Sequence, residues 1–317
     1  MTGLSAAWII AAALALDLLM GDPARLPHPV RLMGAAAARL EKPFRTLLSN
    51  EFRAGLAFAA VLVSVTYVIT LAGVVLAHLG HPAAGTILEI LLVYACICPR
   101  CLHDEAGKVY QAIAAGRLDQ ARALIAMLVS RDTTDMDESA ISRAAIETVA
   151  ENFVDGVLTP LFFAAILGAP GAMAFKMIST LDSMVGYRTE KYEQFGKPAA
   201  RLDDAANWIP ARLCVPVISL AAALVCKTGR RAFKTAVSEG GNHKSPNAGR
   251  PEAAFAGALG VRLIGPGIYH GRLVEKPWIG TAFSLPGPDH IPAACRLMMA
   301  ATLIAAALMI GFRLIIG

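Results

Sequence analysis

Apolar residues fall along this chain in long runs, not at the two-residue spacing of half-buried strands. The longest, Ala54 to Leu79, holds no acidic or basic residue and only His78 near its end. About 20 apolar residues cross a hydrocarbon core roughly 30 Å thick, so this run predicts a spanning helix. Leu297 to Ile310, flanked by Arg296 and Arg313, predicts another over about 293–315. Leu4 to Met20 is apolar apart from Asp17. With no Lys or Arg before Arg25 it lacks the basic start of a signal peptide and reads as a retained, hairpin-like or spanning helix.

Three further runs are ambiguous. Ala83 to Cys98 is short, contains Glu89 and follows a His81-Pro82 turn. Gly156 to Phe175 carries no charge but is broken by Pro160 and by Gly168-Ala169-Pro170-Gly171. Leu213 to Cys226 is too short for an untilted span. Irregular backbone at membrane depth survives only where protein or a cavity covers it, so the broken run predicts a re-entrant hairpin or an internal helix pair. The expected fold is all-α: a polytopic helical membrane protein with re-entrant or half-buried helices and cytoplasmic helical and loop segments. It forms one integral-membrane domain over 1–317, with polar segments at 21–53, 99–155, 176–212 and 227–292.

Composition agrees. Hydrophobic residues make up 56% of the chain and charged residues 17%, against about 25% charged in ordinary soluble domains. This excludes a disordered chain and, with a net charge of only +5, a nucleic-acid binder. Lys and Arg cluster at 25–53, 100–143 and 227–276, which the positive-inside rule places in the cytoplasm. The runs 54–79 and 83–98 then form an out-and-back pair. The six cysteines make no spaced framework, and Cys98-Pro99-Arg100-Cys101 follows a helical run, so it reads as membrane-edge thiols. No internal repeat is present, which weakens an inverted-repeat transporter reading.

The chemistry lies in the polar stretches. From Arg131 the chain reads Arg-Asp-Thr-Thr-Asp-Met-Asp-Glu, with Thr134 and Asp137 spaced as a capping box. Arg143, Glu147, Glu151 and Asp155 then recur at i+4 on one helix face. That face is either solvated, with one Arg143–Glu147 pair, or a Mg²⁺ site, since hard cations take oxygen ligands. Between Lys176 and Arg212 stand Asp182, Tyr187, Arg188, Tyr192, Arg201, Asp203, Asp204, Asn207 and Trp208. The cations suit phosphate or carboxylate, and Asp203-Asp204 suits a shared metal. Interfacial anchoring explains the aromatic residues but not the acids and amide. Ser245-Pro-Asn247-Ala-Gly249-Arg250-Pro251 feeds an Ala-rich helix, with Pro251 expected at its first position; it is an anion site or an ordinary helix start. His28, in the proline-stiffened loop after the first helix, has no role that spacing alone assigns. No P-loop, dinucleotide, nucleophile-elbow or zinc motif occurs.

These strings carry a resemblance. Gly21-Asp-Pro…His28-Pro-Val-Arg, Arg131-Asp-Thr-Thr…Glu147-Thr-Val-Ala-Glu-Asn…Asp155-Gly, Thr180-Leu-Asp-Ser-Met-Val-Gly-Tyr-Arg188, Arg201-Leu-Asp-Asp…Asn207-Trp-Ile-Pro-Ala-Arg212 and Ser245-Pro-Asn-Ala-Gly249 resemble, in order, the CobD/CbiB family. The resemblance runs from about residue 14 to about 280. The Cys98–Cys101 motif stands outside it, and 263–290 is only partly family-like and receives no role. The resemblance implies an integral-membrane adenosylcobinamide-phosphate synthase. Such an enzyme uses ATP to join a carboxylate of adenosylcobyric acid to (R)-1-amino-2-propanol O-2-phosphate.

On that reading Glu147, Glu151, Asp204 and His28 are expected to be catalytic. Lys176, Arg188, Arg201, Asn207, Arg212, Ser245, Asn247, Gly249 and Arg250 would bind substrate or phosphate, and Asp155, Asp182 and Asp203 would hold metal. ATP and Mg²⁺ are the expected cofactors, the corrinoid a substrate, and membrane lipid and other cobalamin-pathway enzymes the expected partners. The expected location is the inner membrane, with the site facing the cytoplasm and the charged stretches gathered in one pocket. The rivals are a corrinoid or metal transporter and a non-catalytic scaffold for pathway enzymes.

Overall fold

The structure, a computed structural model, describes residues 3–22, 28–187, 189–269 and 271–316, with side chains from Ala7 onward. Arg188, expected to bind phosphate, lies outside the described residues. In chain order the elements begin α1 (Gly3–Met20), α2 (Pro29–Leu47), α3 (Glu51–Gly80), α4 (Pro82–Tyr94), α5 (Pro99–Ala114), α6 (Leu118–Ala126) and α7 (Glu138–Phe153). A π-turn (Val154–Leu158) leads to α8 (Thr159–Val185), α9 (Lys197–Ala206), α10 (Pro210–Val225), α11 (Gly229–Glu239) and α12 (Gly249–Leu259). Four short strands, β1 (Leu263–Ile264), β2 (Gly267–Tyr269), β3 (Arg272–Val274) and β4 (Trp278–Ile279), precede α13 (His290–Ile316).

The fold is that of a helical membrane protein. Four helical stretches among the described residues are long and apolar enough to cross a bilayer: Glu51–Gly80, Pro82–Ala114, Glu138–Val185 and His290–Ile316. A fifth arises if α9 and α10, bent by 45°, count as one span. The run at 83–98 therefore continues beyond its expected end, and the short 213–226 run is extended by its neighbour. Only 22% of the α3 window is buried within the protein, against 72% for Glu138–Val185. The former turns most of its Leu and Val side chains outward, and the latter stretch is largely buried.

The chain divides into two compact units. The first comprises Met1–Cys98, Asp155–Asn207 and Ala306–Gly317; the second comprises Pro99–Val154 and Trp208–Ala305. In the first, α3 starts at Asn50, whose Oδ1 accepts from the Arg53 N–H (2.9 Å). At 30 residues it is about 45 Å long. Apolar burial drives nothing inside lipid, so helices associate through close backbone packing at small residues. A Cβ at Gly55 would lie 1.9 Å from the Phe195 carbonyl oxygen, which fixes glycine there. At the turn into α4, His78 Nε2 meets the buried Glu89 carboxylate at 2.8 Å, and Gly85 makes room for the imidazole.

In α8 the break falls at Gly168 (φ 71°, ψ −166°). Pro170, two residues on, lacks the N–H and crowds the preceding turn. Pro160, expected to break this run, sits instead in the first turn of α8, where proline costs nothing.

In the second unit, α7 is capped by Asp137, whose Oδ1 accepts from the Ala140 N–H (2.7 Å). The expected capping box on Thr134 does not form, because Thr134 donates through its N–H and hydroxyl to Asp132 Oδ1. Ile141, Ala144, Ile146 and Val149 of α7 are fully buried. The segment with no expected role supplies two antiparallel pairs, Leu263 with Ile279 and Ile264 with Trp278, then Gly267 with Val274 through Tyr269 with Arg272. Among the described residues none of the six cysteines forms a disulfide.

Candidate active site

In the second unit a cavity of about 240 Å³ is built from α7, the turn before it, α12 and the β segment, and its walls carry opposite charges. Arg131, His243 and Lys276 face Glu147, Glu151 and Glu252. Glu147 is the anchor. Its Oε2 accepts from Arg131 Nη2, its Oε1 accepts from the Ile264 N–H at 2.6 Å, and Arg143 Nε stands 3.9 Å away. The expected Arg143–Glu147 pair is thus secondary to Arg131. Arg143 is instead seated 4.8 Å over the Trp278 ring.

The Ile264 N–H reaches Glu147 because Ile264 takes a left-handed φ of 66°, followed by Gly265 at 74°. A β-branched residue in that region is strained by roughly 1–3 kcal/mol. The contact with Trp278 fixes glycine at 265, since a Cβ there would lie 2.5 Å from the indole.

Around this anchor the remaining groups are aimed by local bonds. His243 Nδ1 accepts from the Ser245 N–H (3.0 Å), so the neutral ring carries its proton on Nε2. Burial, then Lys276, hold the imidazole below its ordinary value, so neutral is the resting form near pH 7. Lys276 Nζ donates to the Tyr269 hydroxyl (2.7 Å). Glu252 is 3% exposed, and its Oε2 has no hydrogen-bond partner. Burial foremost, then the Glu151 and Glu147 charges, push its carboxyl well above the usual range, with Lys276 and Arg131 opposing.

The loop before α12 differs from expectation. The helix begins at Gly249, two residues ahead of Pro251. The Asn247 and Ala248 N–H groups both donate to Ser245 Oγ at 3.3 Å, so these two donors are engaged and do not form an open nest. Arg250 stands close enough to Arg212 for the two charges to repel, with its Nε buried and unbonded. Arg212 stacks on Trp208 at 3.8 Å.

The first unit holds the other expected residues. His28 caps α2, its Nδ1 accepting from the Val30 N–H (3.2 Å), with Asp22 3.9 Å from Nε2. Burial first, then Lys176 and Arg31, lower its imidazole against the pull of Asp22. Asn207 is buried in a relay. Its Oδ1 accepts from the Thr159 hydroxyl (2.7 Å), and its Nδ2 donates to Asp203 (3.0 Å). Arg201 and Asp204 line an open cavity of about 400 Å³ with Tyr187, Tyr192, Glu193 and Lys197. Asp204 also bears electrostatically on Asp182.

The expected metal set finds no cage. Among the described residues no three His, Cys, Asp or Glu side chains converge to hold an ion. Asp203 is committed to Asn207, and Glu147 to Arg131 and Ile264. The π-turn from Val154 ends the i+4 repeat on which a three-carboxylate face with Asp155 rested. Of the expected residues, the second unit contains Glu147, Glu151, Arg212, Ser245, Asn247, Gly249 and Arg250. The first contains His28, Asp155, Lys176, Asp182, Arg201, Asp203, Asp204 and Asn207.

Sequence reasoning missed Arg131, His243, Glu252, Tyr269 and Lys276 as members of the cavity. Glu252 was visible only as an acid in a first turn, which ordinary helices also carry.

A helical membrane protein with a cavity of opposed charges is a class, not an identity. Comparison of the sequence supplies the family: the profile described as "CobD/Cbib protein" matches residues 10–298. The chain is 43% identical over 311 residues to the cobalamin biosynthesis protein CobD of Klebsiella pneumoniae, covering 97% of each chain. It is 46% identical over 272 residues to that of Geobacter metallireducens (86% of each). Against that of Clostridium perfringens it is 43% identical over 268 residues, 84% of this chain and 85% of the other. No solved structure matches it. The chain belongs to the CobD/CbiB family of cobalamin biosynthesis proteins.

Proposed function

We propose that this protein is an ATP-dependent amide ligase of cobalamin biosynthesis. It joins a propionate carboxylate of adenosylcobyric acid to (R)-1-amino-2-propanol O-2-phosphate at the cytoplasmic face of the cell membrane. Family membership supports the pathway. The observation that carries the chemistry is the 240 Å³ cavity, where Arg131, His243 and Lys276 oppose Glu147, Glu151 and Glu252. A carboxylate does not acylate an amine in water without activation, and ATP supplies that activation as an acyl phosphate. Negative charge then builds on phosphoryl oxygens, which fixed cations stabilise.

In this cavity Arg131 and Lys276 are the cations that would hold the amino-alcohol's phosphate, and neutral His243 is a donor through Nε2. Glu147 does not react; it positions Arg131, because the Arg131 and Ile264 groups occupy its two oxygens. Glu151, exposed at the cavity wall, presents its carboxylate toward the side from which a cationic substrate would enter. The Arg201–Asp204 cavity and the Arg212–Arg250 pair are further sites for phosphate-bearing substrate. Magnesium would be held by the nucleotide phosphates and not by a protein cage, as no three His, Cys, Asp or Glu side chains converge among the described residues.

The test is mass spectrometry of purified protein given cobyric acid, ATP, Mg²⁺ and aminopropanol phosphate. The expected result is adenosylcobinamide phosphate, or the cobinamide phosphate of the corrinoid supplied. Absence of amide, together with corrinoid uptake into protein-bearing vesicles, would replace the ligase with a transporter.

A further inference from the structure

We propose that Glu252 is the catalytic residue that takes the proton of the amine nucleophile, its Oε2 facing the ammonium group inside the cavity shared with Arg131, His243 and Lys276. The assignment rests on the ligase reading. Three observations carry it. Glu252 lines the cavity and is 3% exposed, yet its Oε2 has no hydrogen-bond partner. An unsatisfied buried carboxyl oxygen costs free energy unless something arrives to meet it. Every other charged wall group is engaged or exposed: Glu147 with Arg131 and Ile264, Lys276 with Tyr269, and Glu151 at the open side.

The volume, about 240 Å³, lies below the roughly 300–1,000 Å³ of pockets for drug-sized ligands. It admits a small zwitterion and excludes a corrin ring. An aminoalkyl phosphate matches the walls, its phosphate toward Arg131, Lys276 and the His243 Nε2–H, its ammonium toward Glu252 and Glu151.

Burial sets where the shared proton sits. A buried ammonium–carboxylate pair carries two desolvated charges, whereas the amine–carboxylic acid pair carries none. The groups facing Glu252 reinforce this: Glu147 and Glu151 from α7 repel its charged form more than Arg131 and Lys276 attract it. As the ammonium group docks, the resting Glu252 acid gives its own proton to solvent; an ammonium N–H bond then breaks and an O–H bond forms on Oε2, so one proton is released in all. The freed lone pair attacks the acyl phosphate carbon, the C–N bond forms, and the C–O bond to phosphorus's oxygen breaks. Inorganic phosphate leaves with that electron pair and takes the second nitrogen proton.

The experiment titrates the purified full-length protein in detergent with (R)-1-amino-2-propanol phosphate, by calorimetry at pH 8 in buffers of different ionisation heat. At that pH the phosphate monoester (second pKa about 6) is ionised, and the amine, akin to Lys at about 10.4, is still an ammonium ion. The wild type is expected to release about one proton per amine bound. Glu252→Gln should release close to none and lose about 100-fold in turnover, with Glu252→Asp restoring the release. Equal release by Glu252→Gln and wild type overturns the assignment while leaving a ligase intact. Glu252-dependent release without amide product would sink the ligase reading and keep Glu252 as the amine's proton site. No binding by the wild type overturns both.

Discussion

At the scale of single residues, the second-unit cavity is organised by one buried ion pair and one lone acid. Glu147 and Arg131 are 5% and 11% exposed, so neither is solvated if its partner is removed. Glu147→Gln should cost about 3–5 kcal/mol, the penalty for an uncompensated buried charge, read as a drop in the thermal midpoint in detergent. Arg131→Met added to it should recover part of that loss, and simple additivity of the two would show that the pair is not coupled.

Glu252 gives a pH dependence of defined sign. Its carboxyl is held well above the ordinary 4.5, so the folded state keeps a proton that the unfolded chain gives up. The associated stability is complete below about pH 4.5 and declines as pH rises toward the folded value. Midpoints measured from pH 5 to 8 should fall with pH in the wild type. The fall should be shallower in Glu252→Gln, and parallel curves would contradict it. Glu147 and Glu151 were legible as a site because acids at i+4 beside an apolar run need a cation. Arg131 and Glu252 were not, since their meeting depends on how the chain returns through β1 and α12, which spacing does not encode.

At the scale of elements, glycine placement decides which helices touch. Gly55 lies under the Phe195 carbonyl, where a methyl would approach to 1.9 Å. Gly55→Ala should therefore push α3 off the segment before α9, seen as a lower midpoint and a lower yield of folded protein. Gly73→Ala on the same helix, where nothing lies within 4 Å, should change neither. The long apolar run of α3 and the break at Gly168 were legible, because span length and the Gly-Pro pair act locally. The π-turn was not: Val154-Asp-Gly-Val-Leu carries no composition that separates it from α-helix. Its effect is to end the carboxylate face that the i+4 rule extends to Asp155. The strands at 263–279 were missed for a related reason, since two- and three-residue pairs show no periodicity, yet they supply Ile264 and Tyr269 to the cavity, with Gly265 from the turn between them.

At the scale of the whole molecule, the strongest constraint is where cations sit relative to apolar length. Arg31, Arg39, Lys42, Arg45 and Arg53 precede or open α3, and none follows until Arg100. By the positive-inside rule, α3 is expected to run outward and the Pro82–Ala114 helix to run back. The pair at the far turn agrees with this. His78 and Glu89 meet at 2.8 Å, and an acid buried in an apolar helix is tolerable when a partner shares its charge. Alkaline phosphatase, active only outside the cytoplasm, reads the direction. Fused after Gly80 it should be active, and fused after Leu47 or after Ala114 it should be silent. Activity after Leu47 would invert the helix pair. It would then place the basic 100–143 segment, with Arg131 and its cavity, on the outer face, where no ATP reaches it. Sidedness thus tests the proposed chemistry as directly as an assay does, because an ATP-dependent site needs both its cations and its nucleotide on one side of the bilayer.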